Sequence, residues 1–281
     1  MAKPYILALA GLIVVFILYF GFNITPKKKI VMDVSKTSVG SFNIQHYIDS
    51  LENALPVANK TQVSNLEGEI EQSQGNAAVI NSNEALAYYW KDSLKAYEPY
   101  AFYISQAAKL DNSEKKLTFA AQIFLNNLRW ENDPVKLGWE TSEAIELFEK
   151  ALALNPDNTD LKIGLGSSYI FGRGRNGNPE ETMKGVQSLL SVVRQDSTNM
   201  KAQFMLGMGG YISGQYDKAI ERLLKVVNAQ PENAEALAFL ADTYAAKGDK
   251  ASAIKWYNVS KRIVNDAHYS AEVNQRIKEL R

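Results

Sequence analysis

The residues that could carry chemistry are few. Histidine occurs twice, at His46 and His268. Neither stands at the spacing of a metal-ligand pair or of a nucleophile and its base, which need a second group within hydrogen-bond reach. Cysteine is absent, which excludes disulfides, thiolate nucleophiles, cysteine-held zinc and a lipid-modified cysteine. Glu67, Glu69 and Glu71 lie in one polar helical stretch and read as a solvated face rather than a metal site. Gly172, Gly174 and Gly177 fit G-x-G-x-x-G, but that motif cradles a pyrophosphate only where it joins a β-strand to a helix. Here it falls between two helical patterns, and Asn178-Pro179 stands where a phosphate-binding loop requires Lys followed by Ser or Thr. No catalytic residue, metal, cofactor or nucleotide is therefore expected, and the chain reads as no enzyme. Arg173 and Arg175 read as members of a mobile solvated loop that could meet an acidic partner or anionic lipid.

The elements that carry these residues begin with an apolar run. Tyr5–Phe22 holds no charge, and most of it is Leu, Ile, Val or Phe. As a helix it would reach about 27 Å, close to the hydrocarbon thickness of a bilayer. No small-x-small cleavage site follows, so the run reads as an uncleaved single-pass anchor rather than a secretory signal. Lys27, Lys28, Lys29 and Lys36 lie beyond it, and the positive-inside bias places the bulk of the chain in the cytoplasm rather than the periplasm. Residues 23–40 read as a tether. With these lysines set apart, the rest of a chain of zero net charge is mildly acidic. It has no electrostatic footprint for nucleic acid.

Downstream, periodicity predicts helices throughout. Residues 41–82 divide into a helix over Phe42–Leu55, a second from about Thr61 to Gln72, and a flexible loop over Ser73–Asn83, rich in Gly, Asn and Ser. From residue 83 a longer period sets in. Gly185, Ala219 and Ala253 are spaced by 34, while Ala144 to Gly185 is 41, with the extra residues in Gly172–Glu180. Leu165-Gly166, Leu206-Gly207 and Leu240-Ala241 recur ahead of them, and Pro156 and Pro231 close two units. The clearest units are 200–233 and 234–267. Those at 113–158 and 159–199 carry insertions, the first around Asp133-Pro134 and Gly138, and residues 83–112 form a degenerate unit. Residues 268–281 read as a capping helix.

This pattern resembles the tetratricopeptide repeat family, whose signature runs W-x2-L-G-x2-Y, then A-x3-F, then P. Gln203 and Leu237 stand where tryptophan is usual, and Gly210 where tyrosine is usual. The resemblance implies an all-α solenoid of stacked helical hairpins over 83–267. It also implies a concave groove, lined by the first helix of each repeat, that binds a protein or peptide. Mapped here, that face comprises Ile163, Ser167, Ile170 and Phe171, then Lys201, Phe204, Met208, Tyr211 and Ile212, then Glu235, Ala238, Asp242 and Ala245. Its apolar middle suits an apolar or amphipathic segment anchored by Phe204, Met208 and Tyr211, unless residues 41–72 cover it. The whole is similar to bacterial membrane-tethered members of the family, which implies a scaffold or adaptor at the inner membrane. A chaperone-like or regulatory subunit of a secretion, cytochrome-maturation or cell-wall complex stays open, as does an apolar ligand or lipid in the groove.

Overall fold

Helix starts are written repeatedly into the turns. Asn158, Asn199 and Asn233 each close a turn, their backbone N–H groups donating to the carbonyls of Asn155, Asp196 and Gln230. Each side-chain oxygen then caps the helix that follows, Asn199 accepting from the Ala202 N–H and Asn233 from the Ala236 N–H, both at 2.9 Å. Gly248, at φ 90°, ends a helix in the left-handed conformation that glycine tolerates without strain.

The computed structural model describes residues 42–175 and 177–281, and among them every regular element is helical. Helices α1 (Ile44–Ala54) and α2 (Val57–Gln72) precede five hairpins. These are α3 (Asn76–Asp92) with α4 (Tyr97–Asp111), α5 (Glu114–Leu128) with α6 (Pro134–Leu154), α7 (Thr159–Tyr169) with α8 (Pro179–Gln195), α9 (Met200–Ile212) with α10 (Tyr216–Ala229), and α11 (Ala234–Lys247) with α12 (Lys250–Val264). A π-helical turn, Ile170–Gly174, extends α7, and α13 (Ala267–Leu280) caps the last hairpin through buried Val273 and Ile277. Each hairpin packs on the next, and α5, α7, α9 and α11 touch in order, the contact pattern of a solenoid.

Small residues set the spacing. Ala219, Ala241 and Ala253 are fully buried beside Leu223 and Tyr257. A Cβ on Gly207 would lie 2.8 Å from Leu223 Cγ, and one on Gly185 would lie 2.5 Å from the Gly166 carbonyl oxygen. Backbone thus meets backbone between α7 and α8.

An expected loop and an expected insertion are helical instead. Only 73–75 separates α2 from α3, so Asn76–Asn83 is helix, not flexible loop. Packing overrides the weak propensity of Asn and Ser there: Ile80 and Asn83 are buried, and Asn83 Nδ2 donates to the Val79 carbonyl at 2.8 Å. The insertion around Asp133 is the first turn of α6. Asp133 caps it by accepting from the Val135 N–H at 2.8 Å, and Pro134 occupies the first helical position, where its missing N–H costs nothing. The expected anchor (5–22) and tether (23–40) lie outside the described residues, among which no helix is long and apolar enough to cross a membrane.

Glycines of the two kinds should respond oppositely to a methyl group. Gly185→Ala drives its Cβ into a backbone carbonyl and should cost about 1–3 kcal/mol. Gly138→Ala, within α6 with open space around it, should gain roughly 0.5–1 kcal/mol. Chemical denaturation of both variants checks this; equal effects would contradict the close approach.

Candidate functional site

Among the first helices, α5 presents an exposed aromatic stripe. Phe119, Gln122, Asn126 and Trp130 follow helical spacing along one side, Trp130 standing just past the last turn. Phe119 is 49% exposed and Trp130 72%, and Gln122 Nε2 donates to Asn126 Oδ1 at 2.7 Å between them. At the same end Arg129 reaches across the array to pair with Glu235, at the start of α11 three hairpins further on. Its guanidinium carbon stands 5.5 Å from the centre of the Phe171 ring and 5.8 Å from those of Phe239 and Trp130. Phe239 in turn meets Phe204 and Tyr211 edge-on at 5.8 and 6.2 Å. The Glu235 side chain is half exposed, where an ion pair adds little. The rings, at about 0.5–2 kcal/mol for a cation over an aromatic face, contribute more to holding Arg129.

This bridge spans the face expected to be an open groove. Ile163, Ser167, Ile170, Phe171, Phe204 and Met208 are all 7% exposed or less. They are core between α7 and α9, not lining, and an apolar ligand or lipid in that groove has no open seat among them. Glycine is the physical reason. A Cβ on Gly209 would stand 2.9 Å from Ile170 Cδ1, and one on Gly164 2.4 Å from the Phe148 ring, so the helices sink into one another.

The remaining expected positions divide. Tyr211 is half-buried, its phenol raised above the ordinary range by burial and then by Asp242. Ile212 lines a cleft shared with α8 and α10 instead. Asp242 accepts from Arg276 Nη1 at 2.9 Å and from the Tyr257 hydroxyl, so it clamps the capping helix. Lys201 is paired with Asp160 at 2.7 Å, and Ala238 and Ala245 are half-buried. Residues 42–72 pack elsewhere. Helix α2 lies on α3, and α1 on α4 and the start of α6, with Ile48 fully buried, Phe42 5.2 Å from the Trp139 ring and Lys136 Nζ 4.6 Å from that of Tyr47. The sequence reading missed Phe119, Arg129, Trp130 and Phe239. The stripe on α5 was visible in the spacing of its residues; the Arg129 bridge, joining residues 106 positions apart, carries no local signal.

The arginine segment is also corrected. Arg175 is half-buried, its Nη1 donating to the Leu128 and Arg129 carbonyls at 2.9 Å each and its Nη2 to that of Glu131. These carbonyls lie at the end of α5 and in the turn just beyond it, where helix acceptors lack intrahelical partners. Arg175 is therefore pinned rather than free, and it fixes the turn that carries Arg129 and Trp130. Arg173 stays exposed, 3.6 Å from Glu181. Beneath that turn Glu140 is fully buried and accepts from Asn127 Nδ2 at 2.9 and 3.1 Å. Burial pushes its carboxyl up to about 8, with Glu131 and Glu98 adding to the rise and Asn127 and Lys136 opposing it. His46 and His268 are both exposed, and no group of three or more metal-ligating side chains gathers among the described residues.

Residues 211–268 match the family model described as tetratricopeptide repeat. That segment of the chain therefore carries tetratricopeptide repeats. Over 130 residues, 46% of its length, it is 25% identical to Tetratricopeptide repeat protein 6 of Homo sapiens, of which it covers 24%. TTC0263, a thermophilic TPR protein in Thermus thermophilus, shares its fold with a TM-score of 0.51 at 16% identity, over 72% of this chain and 98% of that one. YrrB, described as a TPR protein with an unusual peptide-binding site, aligns over 72% of this chain and 98% of its own at 20% identity and a TM-score of 0.44.

Two outcomes follow for this repeat protein. Arg175→Ala leaves three carbonyls of the α5 end without their partner and should lower stability by about 1–3 kcal/mol. Amide exchange should quicken at 128–131 first; unchanged protection there would show that Arg175 pins nothing. For Glu140, a raised value in the fold means that its contribution is complete below the ordinary 4.5 and is lost as pH climbs through about 8. The thermal midpoint should therefore fall across that window, and Glu140→Gln should flatten the fall.

Proposed function

We propose that the chain is a scaffold that holds a partner protein against the exposed side of α5, with Phe119 and Trp130 as the anchors. The partner segment this surface suits is apolar or amphipathic, as aromatic side chains on a rigid helix supply contact area at low entropic cost. The observation that carries the reading is a single one: Trp130 is 72% exposed, yet the turn beneath it is fixed by Arg175. An aromatic held rigid and exposed loses little freedom on binding. Arg129 and Glu235 form the polar edge of the same surface. In this reading the buried Phe204 and Met208 belong to the core and take no part in the contact.

In the same reading Tyr5–Phe22 anchors the chain in a bilayer, a bacterial inner membrane, with the repeats on the cytoplasmic side. Confinement to a surface raises the effective concentration of any partner held there, which is how a scaffold without chemistry of its own changes what assembles. The test is recovery of a stoichiometric partner from detergent extract with wild type and with Phe119→Ser plus Trp130→Ser. Both side chains are exposed, so helicity should be unchanged while recovery falls roughly tenfold or more. Equal recovery would sink this surface. Reporter fusions after Lys36 and at Arg281 separately test the membrane side.

A further inference from the structure

A cleft of about 760 Å³ opens between α8 and α10, over α9. It lies among the second helices of successive repeats, apart from the surface proposed above. Its cause is local. Gly210, where the family pattern has tyrosine, lies on its floor and approaches the Ala219 backbone so closely that a Cβ would sit 3.2 Å from it. No side chain from that position fills the space. On one wall Met183, Val186 and Leu190 follow one another at i, i+3 and i+7 along α8, with Met183 49% exposed. On the other wall Lys218 and Arg222 stand one turn apart on α10.

The charges on that wall lean one way. Lys218 Nζ donates to Gln215 Oε1 and Arg222 Nη1 to Gln203 Oε1, both at 2.8 Å and both neutral acceptors. Among the described residues no carboxylate lies within ion-pair distance of either cation; Glu221, which lines the same wall, is paired with Lys225 at 2.9 Å, which leaves the wall net positive. The Met183–Leu190 stripe spans two turns of α8, the spacing at which a partner helix presents its own apolar anchors.

We propose that this cleft is a second docking site, for an amphipathic helix of a partner protein that carries acidic residues along the flank facing α10. Apolar side chains of that helix seat against Met183, Val186 and Leu190, and carboxylates one turn apart meet Lys218 and Arg222. The interaction is selective for charge, because lysines at those positions would face two cations.

Two synthetic helical peptides with an identical leucine stripe test it, one with glutamates on the flank and one with lysines. Fluorescence anisotropy against the full chain should give roughly tenfold tighter binding of the glutamate peptide, the gap narrowing as salt rises. Lys218→Glu with Arg222→Glu should reverse the preference. Met183→Asp, at an exposed position, should abolish binding with helicity intact, while Trp130→Ser should leave it unchanged and so separates this site from the proposed scaffold surface. Equal affinity for the two peptides overturns the proposal, as does loss of binding in Trp130→Ser but not in Met183→Asp. Self-association that Met183→Asp removes would make a second copy the occupant and overturns it too.

Discussion

The approach of α7 and α8 is closer than side chains permit. Where the two cross, the Gly166 carbonyl oxygen stands 2.5 Å from where a Cβ on Gly185 would be, and only glycine on both helices allows it. The same rule continues through Gly207 against Leu223, Gly209 against Ile170 and Gly210 against Ala219. Contacts this close gain dispersion energy along their whole length and leave the helices no freedom to slide.

That closeness decides what the surface can be. Repeats with ordinary side chains at these positions would keep a gap between α7 and α9, and Phe171, Phe204 and Met208 would look into it. With glycines the gap closes, those residues become core, and α5 and α11 come near enough for Arg129 to reach Glu235. The large apolar side chains left exposed on α5 are Phe119 and Trp130. On its other side α9 contributes Gly210, which has no side chain of its own, to the lining of the cleft beside α8.

The hairpin array was legible because its signal is periodic and redundant. Ala219, Ala241 and Ala253 alone place three close contacts. The groove was legible as a set of first-helix positions but not as closed or open, because that depends on how far α7 and α9 approach, a property of several glycines acting together. Glycine reads locally as flexibility, whereas here Gly164 and Gly209 act through the absence of a side chain opposite Phe148 and Ile170. Arg175 was misread for a related cause. An arginine among glycines looks solvated until the three carbonyls at the end of α5, some 45 residues upstream, are known to lie beside it. Asn76–Asn83 failed on composition alone, since polar residues that favour turns were outweighed by burial of Ile80.

Glycine inside a helix is costly, roughly 0.5–1 kcal/mol each relative to alanine. Gly164, Gly166, Gly185, Gly207, Gly209 and Gly210 all sit within helices α7 to α9, so the penalty reaches several kcal/mol, a large share of what holds a domain together. Alanine at these sites would give better helices and a looser array. A chain that keeps glycine there gives up intrinsic helix stability for proximity, and proximity has two consequences that better helices would not provide. It carries α11 to Arg129, which sets the polar edge beside Trp130, and it empties the space between α8 and α10. Both surfaces follow from the absence of Cβ atoms in the core beneath them.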